Sequence, residues 1–264
     1  MDQFGSEGVE YYPNGMHDVR GHPHLETFED ALSYTAQQNP SRQYVQWKMQ
    51  AQSWDQLHAM MSPFPAWLDS EWWESRCLAT NSSRSVLYRA LSWRMMVIGG
   101  KDAGMFIHAD NFNTSVWQIQ LSSWKDWLVC KPVHEDVLLA LQQRGDDPFA
   151  PDFDKHPELR KAQCRVVRIR PGDIIFYPSN WWHATRNGPW PSISQTGRAV
   201  TAHNSEFVYW SLRDKCVRPG PDASKEFLYA PPNLYSSTCQ ALPTCRAVWR
   251  NALYIPEQEI SWGM

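Results

Sequence analysis

The middle of the chain is a succession of short apolar alternations cut by turn residues, and this pattern restricts the fold more than any other feature. Trp117, Ile119 and Leu121 alternate with Gln118 and Gln120. Side chains along a strand point to opposite faces in turn, so such a run buries one face. Ser122-Ser123 can turn the chain and Trp127, Leu128 and Val129 return it, so 115–131 reads as a hairpin. Arg165–Arg170, Asp173–Tyr177 and Ser192–Asn204 are three further strands, punctuated by Pro171-Gly172 and Gly188-Pro189. Arg89–Gly99 is another, stopped by Gly99-Gly100. Strands this short, with turn signals every ~8–12 residues, predict a β-sandwich or barrel.

Helical periodicity is confined to the flanks and one insertion. Leu25–Gln38 places Leu25, Phe28, Leu32 and Thr35 on one face and reads as a helix. Tyr44–Met49 alternates like a strand, and the helical turns from Trp54 to Trp73 are interrupted by Pro63 and Pro65. His134–Arg144 follows Pro132 as a helix, and Arg144–Pro157 is a loop rich in Asp and Pro. Residues 1–24 lack periodicity and read as a loosely held tail. The expected organisation is one domain over 25–210, with a helical and strand part at 25–90 and a barrel core at 91–210. Residues 211–264 form a C-terminal extension of helices and loops.

Composition narrows the function classes. The formal charge is −3 with acids and bases interspersed, so the basic stripe of a nucleic-acid binder is missing. No apolar window approaches ~18 residues, and the N-terminus carries no basic-then-apolar leader, so neither a membrane span nor a signal peptide is expected. The six cysteines are scattered; Cys216, Cys239 and Cys245 match no strong zinc spacing. Reduced thiols are therefore expected, and with them a cytoplasmic or nuclear location. Fifteen tryptophans suit a wide β scaffold, and a Trp-rich exposed flank would favour a homodimer.

The chemistry-bearing feature is Phe106-Ile107-His108-Ala109-Asp110. On an extended segment His108 and Asp110 share a face and can reach one point. Two histidines and a carboxylate on one octahedral face leave positions open for reactants, the arrangement of non-haem iron oxygenases. An HxD pair alone is common by chance. His183 supplies a third donor, since it follows a Pro-Gly turn, an apolar strand and Trp181-Trp182. Lys125 lies in the apolar run WKDWLVC, where a bare buried ammonium needs a partner unless the chain snorkels to solvent. Thr114 and Ser115 put hydroxyls between the HxD pair and that lysine. Trp117, Trp181 and Trp182 are candidate pocket walls, with core packing the commoner fate for such residues.

HADNFNTSVWQIQLSSWKDWLVCKP followed by PGDIIFYPSNWWHATRN resembles the Jumonji-C family of 2-oxoglutarate-dependent oxygenases, within the cupin superfamily, over about residues 91–204. The resemblance implies a double-stranded β-helix (jelly-roll) barrel that is mainly β with flanking helices. It implies Fe(II) on His108, Asp110 and His183, and 2-oxoglutarate and O2 as co-reactants. Thr114 and Lys125 would hold the far carboxylate of 2-oxoglutarate. Ser194 or Thr201 would complete that site from the strand after His183, and Gln118 stands where some relatives have Asn. The motif is similar to that of Jumonji protein hydroxylases, so a protein or peptide hydroxylase is expected. An N-methyl-lysine demethylase and a non-catalytic cupin binding protein are the alternatives.

Overall fold

The computed structural model describes residues 4–13, 24–37, 42–60, 65, 68, 71–78, 80–90, 92–189, 191–217 and 232–253. Pro63 and residues 14–23, 218–231 and 254–264 lie outside the described residues, and with them parts of the expected tail, interrupted helical region and extension.

Among the described residues, eleven strands form two antiparallel sheets. The larger sheet has the order β2(His24–Thr27)-β1(Gly8–Tyr12)-β3(Tyr44–Lys48)-β4(Arg94–Gly99)-β11(Ser192–Ala199)-β6(Ser115–Ser122)-β9(Ile174–Tyr177). The smaller has the order β5(His108–Ala109)-β10(Trp182–Asn187)-β7(Lys125–Cys130)-β8(Cys164–Ile169). This is the expected jelly-roll, mainly β with flanking helices: from β4 to β11 the chain changes sheet at every step except β7 to β8, which pair with each other.

That alternation corrects one expectation. Segment 115–131 is not a hairpin, because β6 pairs with β11 and β9 whereas β7 pairs with β10 and β8. Ser123, at a left-handed φ of 59°, turns the chain from one sheet to the other. Alternation specifies which face of a strand is buried but not which strand lies beside it, so the sequence pattern suits both arrangements.

The expected tail also contains structure. Gly8–Tyr12 pairs with β2 and β3, sending Val9 and Tyr11 into the helical core and Glu10 toward the space between the sheets. Leu25, expected to open a helix, pairs instead with Glu10. The helix α1(Phe28–Gln37) starts later because Thr27 caps it: the Thr27 hydroxyl accepts from the Asp30 amide at 3.1 Å and donates to its carboxylate at 2.6 Å.

The two outer faces are covered by helices. α2(Ala51–Met60), α3(Glu71–Cys77), α4(Asn81–Ala90), α6(Ser205–Val217) and α7(Pro232–Leu253) bury Trp47, Trp54, Trp73, Trp93, Trp117 and Trp249 against the larger sheet. At ~200 Å² and ~25 cal/mol/Å², each indole contributes about 5 kcal/mol of gross transfer free energy. α5(Glu135–Arg144) covers the smaller sheet through Leu138, Leu141, Leu128, Trp182 and Ala184. With most of the indoles committed to the outer faces, the space between the sheets mixes polar side chains such as Glu10, Gln118, Thr185 and Arg198 with Tyr12, Val97, Val116 and Trp127. Among the described residues no helix is long and apolar enough to cross a membrane.

The cysteines are paired, not reduced. Cys77–Cys245 joins α3 to α7, Cys216–Cys239 joins α6 to α7, and Cys130–Cys164 links directly opposite residues of β7 and β8, leaving no free thiol. The partners are 168, 23 and 34 residues apart, so their spacing carried no sign of the pairing. The cytoplasmic or nuclear expectation rested on reduced thiols and loses that support.

Candidate metal centre

β5 and β10 run antiparallel with His108 directly opposite His183, which sets the two imidazoles 4.2 Å apart between ring centres. Asp110, two residues after His108, returns to the same side. One of its carboxylate oxygens lies 4.0 Å from His108 Nε2 and the other 3.7 Å from His183 Nε2. One nitrogen from each histidine and one oxygen from Asp110 fall within 4.8 Å of one another, a spacing that can hold a metal ion.

Backbone carbonyls fix both rings. His108 Nδ1 is 2.8 Å from the Phe106 carbonyl and His183 Nδ1 is 3.3 Å from the Trp181 carbonyl. A carbonyl only accepts, so Nδ1 carries the hydrogen and Nε2 presents its lone pair toward Asp110. The Tyr177 hydroxyl donates to Asp110 Oδ2 at 2.8 Å, and the Arg198 guanidinium lies 3.5 Å from Oδ1. Burial by itself would raise the Asp110 carboxyl. Arg198, the two histidines and the Tyr177 hydrogen bond outweigh it and hold the group at about 2. Burial and the repulsion of His108 push His183 down to about 3, against the pull of Asp110. At neutral pH the centre thus offers an anionic carboxylate and a neutral His183, the protonation states a metal requires.

A cavity of about 340 Å³ opens from the three donors into the barrel. Trp127, Thr185, Gln118 and Thr196 line its inner part, and the last two face each other across β6 and β11. The opposite wall comes from the N-terminal strands: Glu10 accepts from Tyr12 at 3.1 Å and pairs with Lys48 at 2.7 Å.

Of the residues expected to bind the cosubstrate, Gln118 alone lines this cavity. Thr114 is buried, its hydroxyl accepting from Arg198 at 2.6 Å. Ser194 donates to Gln120 at 2.7 Å, and Thr201 lies in the turn before α6, its amide and hydroxyl donating to Asn204 Oδ1 at 2.6 and 3.2 Å. Lys125 is 1% exposed, on the same face of β7 as Trp127 and two residues deeper in the barrel. Among the described residues no hydrogen bond or ion pair reaches its ammonium, and burial lowers its pKa to about 7. Neighbouring Asn187, opposite Lys125 on β10, has both amide atoms unpaired, and Gln118 Nε2 is also unpaired. Trp117 and Trp182 pack into the outer cores and Trp181 packs beside Tyr177, so none of these three walls the cavity.

Tyr177, Thr196 and Arg198 were missed. An arginine in a strand flanked by apolar residues is a signal that could have found Arg198, since a buried guanidinium needs an anion. Tyr177 had only its phase in the DIIFY strand.

A family described as a cupin-like domain matches residues 3–202. The chain belongs to that family, of the Jumonji-C type. It is 27% identical over 153 residues to the bifunctional arginine demethylase and lysyl-hydroxylase psr-1 of Caenorhabditis elegans, covering 51% of this chain and 35% of that protein. It is 28% identical over 123 residues to the arginine-specific demethylase JMJ20 of Arabidopsis thaliana, 46% of this chain and 26% of the relative. It is 27% identical over 129 residues to the 2-oxoglutarate and iron-dependent oxygenase JMJD4 of Danio rerio, 47% of this chain and 30% of the relative. The chain thus spans about a third or less of the length of these relatives.

Proposed function

We propose that this chain is an Fe(II)- and 2-oxoglutarate-dependent oxygenase that hydroxylates a side chain of a protein or peptide substrate. One observation carries the reading: a complete His108, Asp110, His183 donor set beside a buried, unpartnered cation and amide at the barrel floor. A structural barrel has no reason to desolvate Lys125, Gln118 and Asn187 without partners, since an orphaned buried polar group costs about 1–3 kcal/mol and a charge more. A dicarboxylate reaching from the metal toward Lys125 would supply the acceptors these donors lack, so the residues fit the cosubstrate. Iron with 2-oxoglutarate and O2 supplies the oxidation of a substrate C–H bond, with succinate and CO2 as co-products.

The protein's own groups have separate duties in this reading. Tyr177 and Arg198 keep Asp110 ionised and oriented, and the carbonyls of Phe106 and Trp181 hold the imidazoles in the ligating tautomer. Lys125 fixes the charge of the far carboxylate, with Gln118 and Asn187 donating beside it. Hydroxylation is preferred to demethylation on motif; the name of psr-1 includes both activities. Three disulfides with no thiol left over also favour folding in an oxidising compartment, because cytosolic and nuclear proteins keep thiols reduced.

Iron-reconstituted protein with ascorbate should convert 2-oxoglutarate to succinate, and His183→Ala should abolish this. Absence of iron-dependent turnover together with no stabilisation by N-oxalylglycine would overturn the enzyme in favour of a binding protein. Formaldehyde release from a methylated peptide would replace hydroxylation by demethylation.

A further inference from the structure

A second groove lies beside the metal cavity. Asn111, next to Asp110, borders both that cavity and the groove of about 430 Å³ between the Asn111–Asn113 turn and α6. Phe207 and Trp210, three residues apart on α6, share its helical wall and are 64% and 47% exposed. Phe112 faces them from the turn. Isolated exposed aromatics are ordinary, but two together in a concave wall that adjoins a metal centre mark a binding surface.

The groove is also held in shape. Phe112 and Asn113 both adopt left-handed φ, 67° and 53°, a conformation side chains avoid unless the surroundings impose it. Asn113 donates to Ser211 on α6 at 2.6 Å and thereby locks the turn to the helix one residue beyond Trp210. Arg213 and Arg246 lie 4.9 and 5.0 Å over the Trp210 ring and fix its orientation. On the inner side, the Arg198 guanidinium lies over the Phe112 ring at 5.8 Å and also reaches Asp110. One rigid turn therefore forms the lip of the metal cavity and one wall of the groove.

We infer that this groove docks the substrate chain beside the residue presented to the metal, and that the docked segment is extended and proline-rich with apolar side chains. The inference rests on the oxygenase reading and names its substrate class. Asn111 borders both spaces and adjoins Asp110, so the groove lies beside the metal cavity. The size selects the occupant: a stable subunit face buries ~800 Å² per partner, far more than this groove presents, whereas a few side chains of one strand of polypeptide fill it. Aromatic-lined grooves take proline-rich segments because that conformation is already extended and loses little entropy on binding.

The test uses fluorescence anisotropy of two labelled peptides of equal length, one alternating Pro and Leu and one of Gly and Ser, on full-length protein loaded with Ni(II) and N-oxalylglycine. The Pro–Leu peptide should bind at least tenfold tighter than the Gly–Ser peptide. Phe207→Ser and Trp210→Ala should each weaken it tenfold or more with an unchanged melting temperature. Equal affinity for the two peptides, or undiminished Pro–Leu binding by both variants, would sink the inference. So would sedimentation showing a wild-type dimer that Phe207→Lys dissociates, which would make the groove a subunit contact. Because the anisotropy needs no turnover, an inactive but peptide-binding protein would count against the oxygenase reading alone.

Discussion

Replacing Lys125 by Met should make the cosubstrate-free protein more stable and the cosubstrate-binding site useless. The Lys125 ammonium is buried with no partner among the described residues, and burial brings its pKa from 10.5 to about 7. A displacement of about 3.5 units corresponds to about 5 kcal/mol at ~1.36 kcal/mol per unit. Relaxation around the site recovers part of this, leaving about 2–5 kcal/mol. The folded pKa lies below the unfolded one, so between about pH 7 and pH 10.5 the unfolded chain binds more protons and stability rises with pH. Below about pH 7 the full penalty is present. Met keeps the volume and removes the charge, so Lys125→Met should raise the melting temperature at pH 6.5 by about 4–20 °C, at ~2–4 °C per kcal/mol. The gap should close as pH approaches 10. N-oxalylglycine should stabilise the wild type and leave the variant unmoved. Melting curves at pH 6.5 and 9.5, with and without N-oxalylglycine, read all three effects. A variant less stable than wild type at pH 6.5, or a difference that ignores pH, would show that the ammonium is already paired and that the barrel floor is structural.

Three further outcomes follow from the same geometry. Tyr177→Phe removes the 2.8 Å hydrogen bond to Asp110 and should weaken Co(II) binding about 10–100-fold in a spectroscopic titration, while a shift below twofold would exclude an orienting role. Alkylation of denatured, unreduced protein should label no cysteine, and after reduction all six; the Cys77→Ala/Cys245→Ala double variant should lose up to about 5 kcal/mol in urea unfolding, since that bridge closes a 168-residue loop. Gly104→Ala would put a Cβ 2.0 Å from the Thr185 carbonyl oxygen, against backbone that cannot yield, and should cost about 3 kcal/mol or more by the same assay.

The metal centre was legible because its donors are brought together by local rules. The His108 and Asp110 phase follows from strand periodicity, and His183 is announced by the turn, strand and turn before it. Of the residues expected at the cosubstrate, Gln118 lines the cavity and Lys125 lies on the face of β7 that carries Trp127, both placed by strand phase alone. Thr196 lines the cavity whereas Ser194 and Thr201 do not, because the pairing of Gln118 with Thr196 is a property of β6 against β11, which neither strand states alone. The disulfides failed for the same reason, being contacts between elements that only the folded topology adjoins. Gly8–Tyr12 was hidden differently. Five residues between Gly- and Pro-rich segments are too few to show a period, and Glu10 looked like a polar residue of a tail although it faces the cavity.

The buried polar groups at the barrel floor make the surrounding architecture intelligible. Among the described residues the Lys125 ammonium, the Asn187 amide and Gln118 Nε2 are buried without partners, a burden of several kcal/mol on a domain whose net stability is only ~5–15 kcal/mol. Such an interior is tolerable because the helical shell carries the apolar burial, with six indoles against one sheet, and because three disulfides restrict the unfolded chain. It follows that metal and dicarboxylate should act as folding ligands as well as reactants. At ligand one hundred times its Kd the gain is ~2.7 kcal/mol, comparable to the penalty at the barrel floor. The protein should therefore stiffen most at β7 and β10, where Lys125 and Asn187 stand opposite each other, when N-oxalylglycine and Ni(II) are added. Amide exchange that slows equally in all strands would mean that the ligand stabilises the fold without filling that floor.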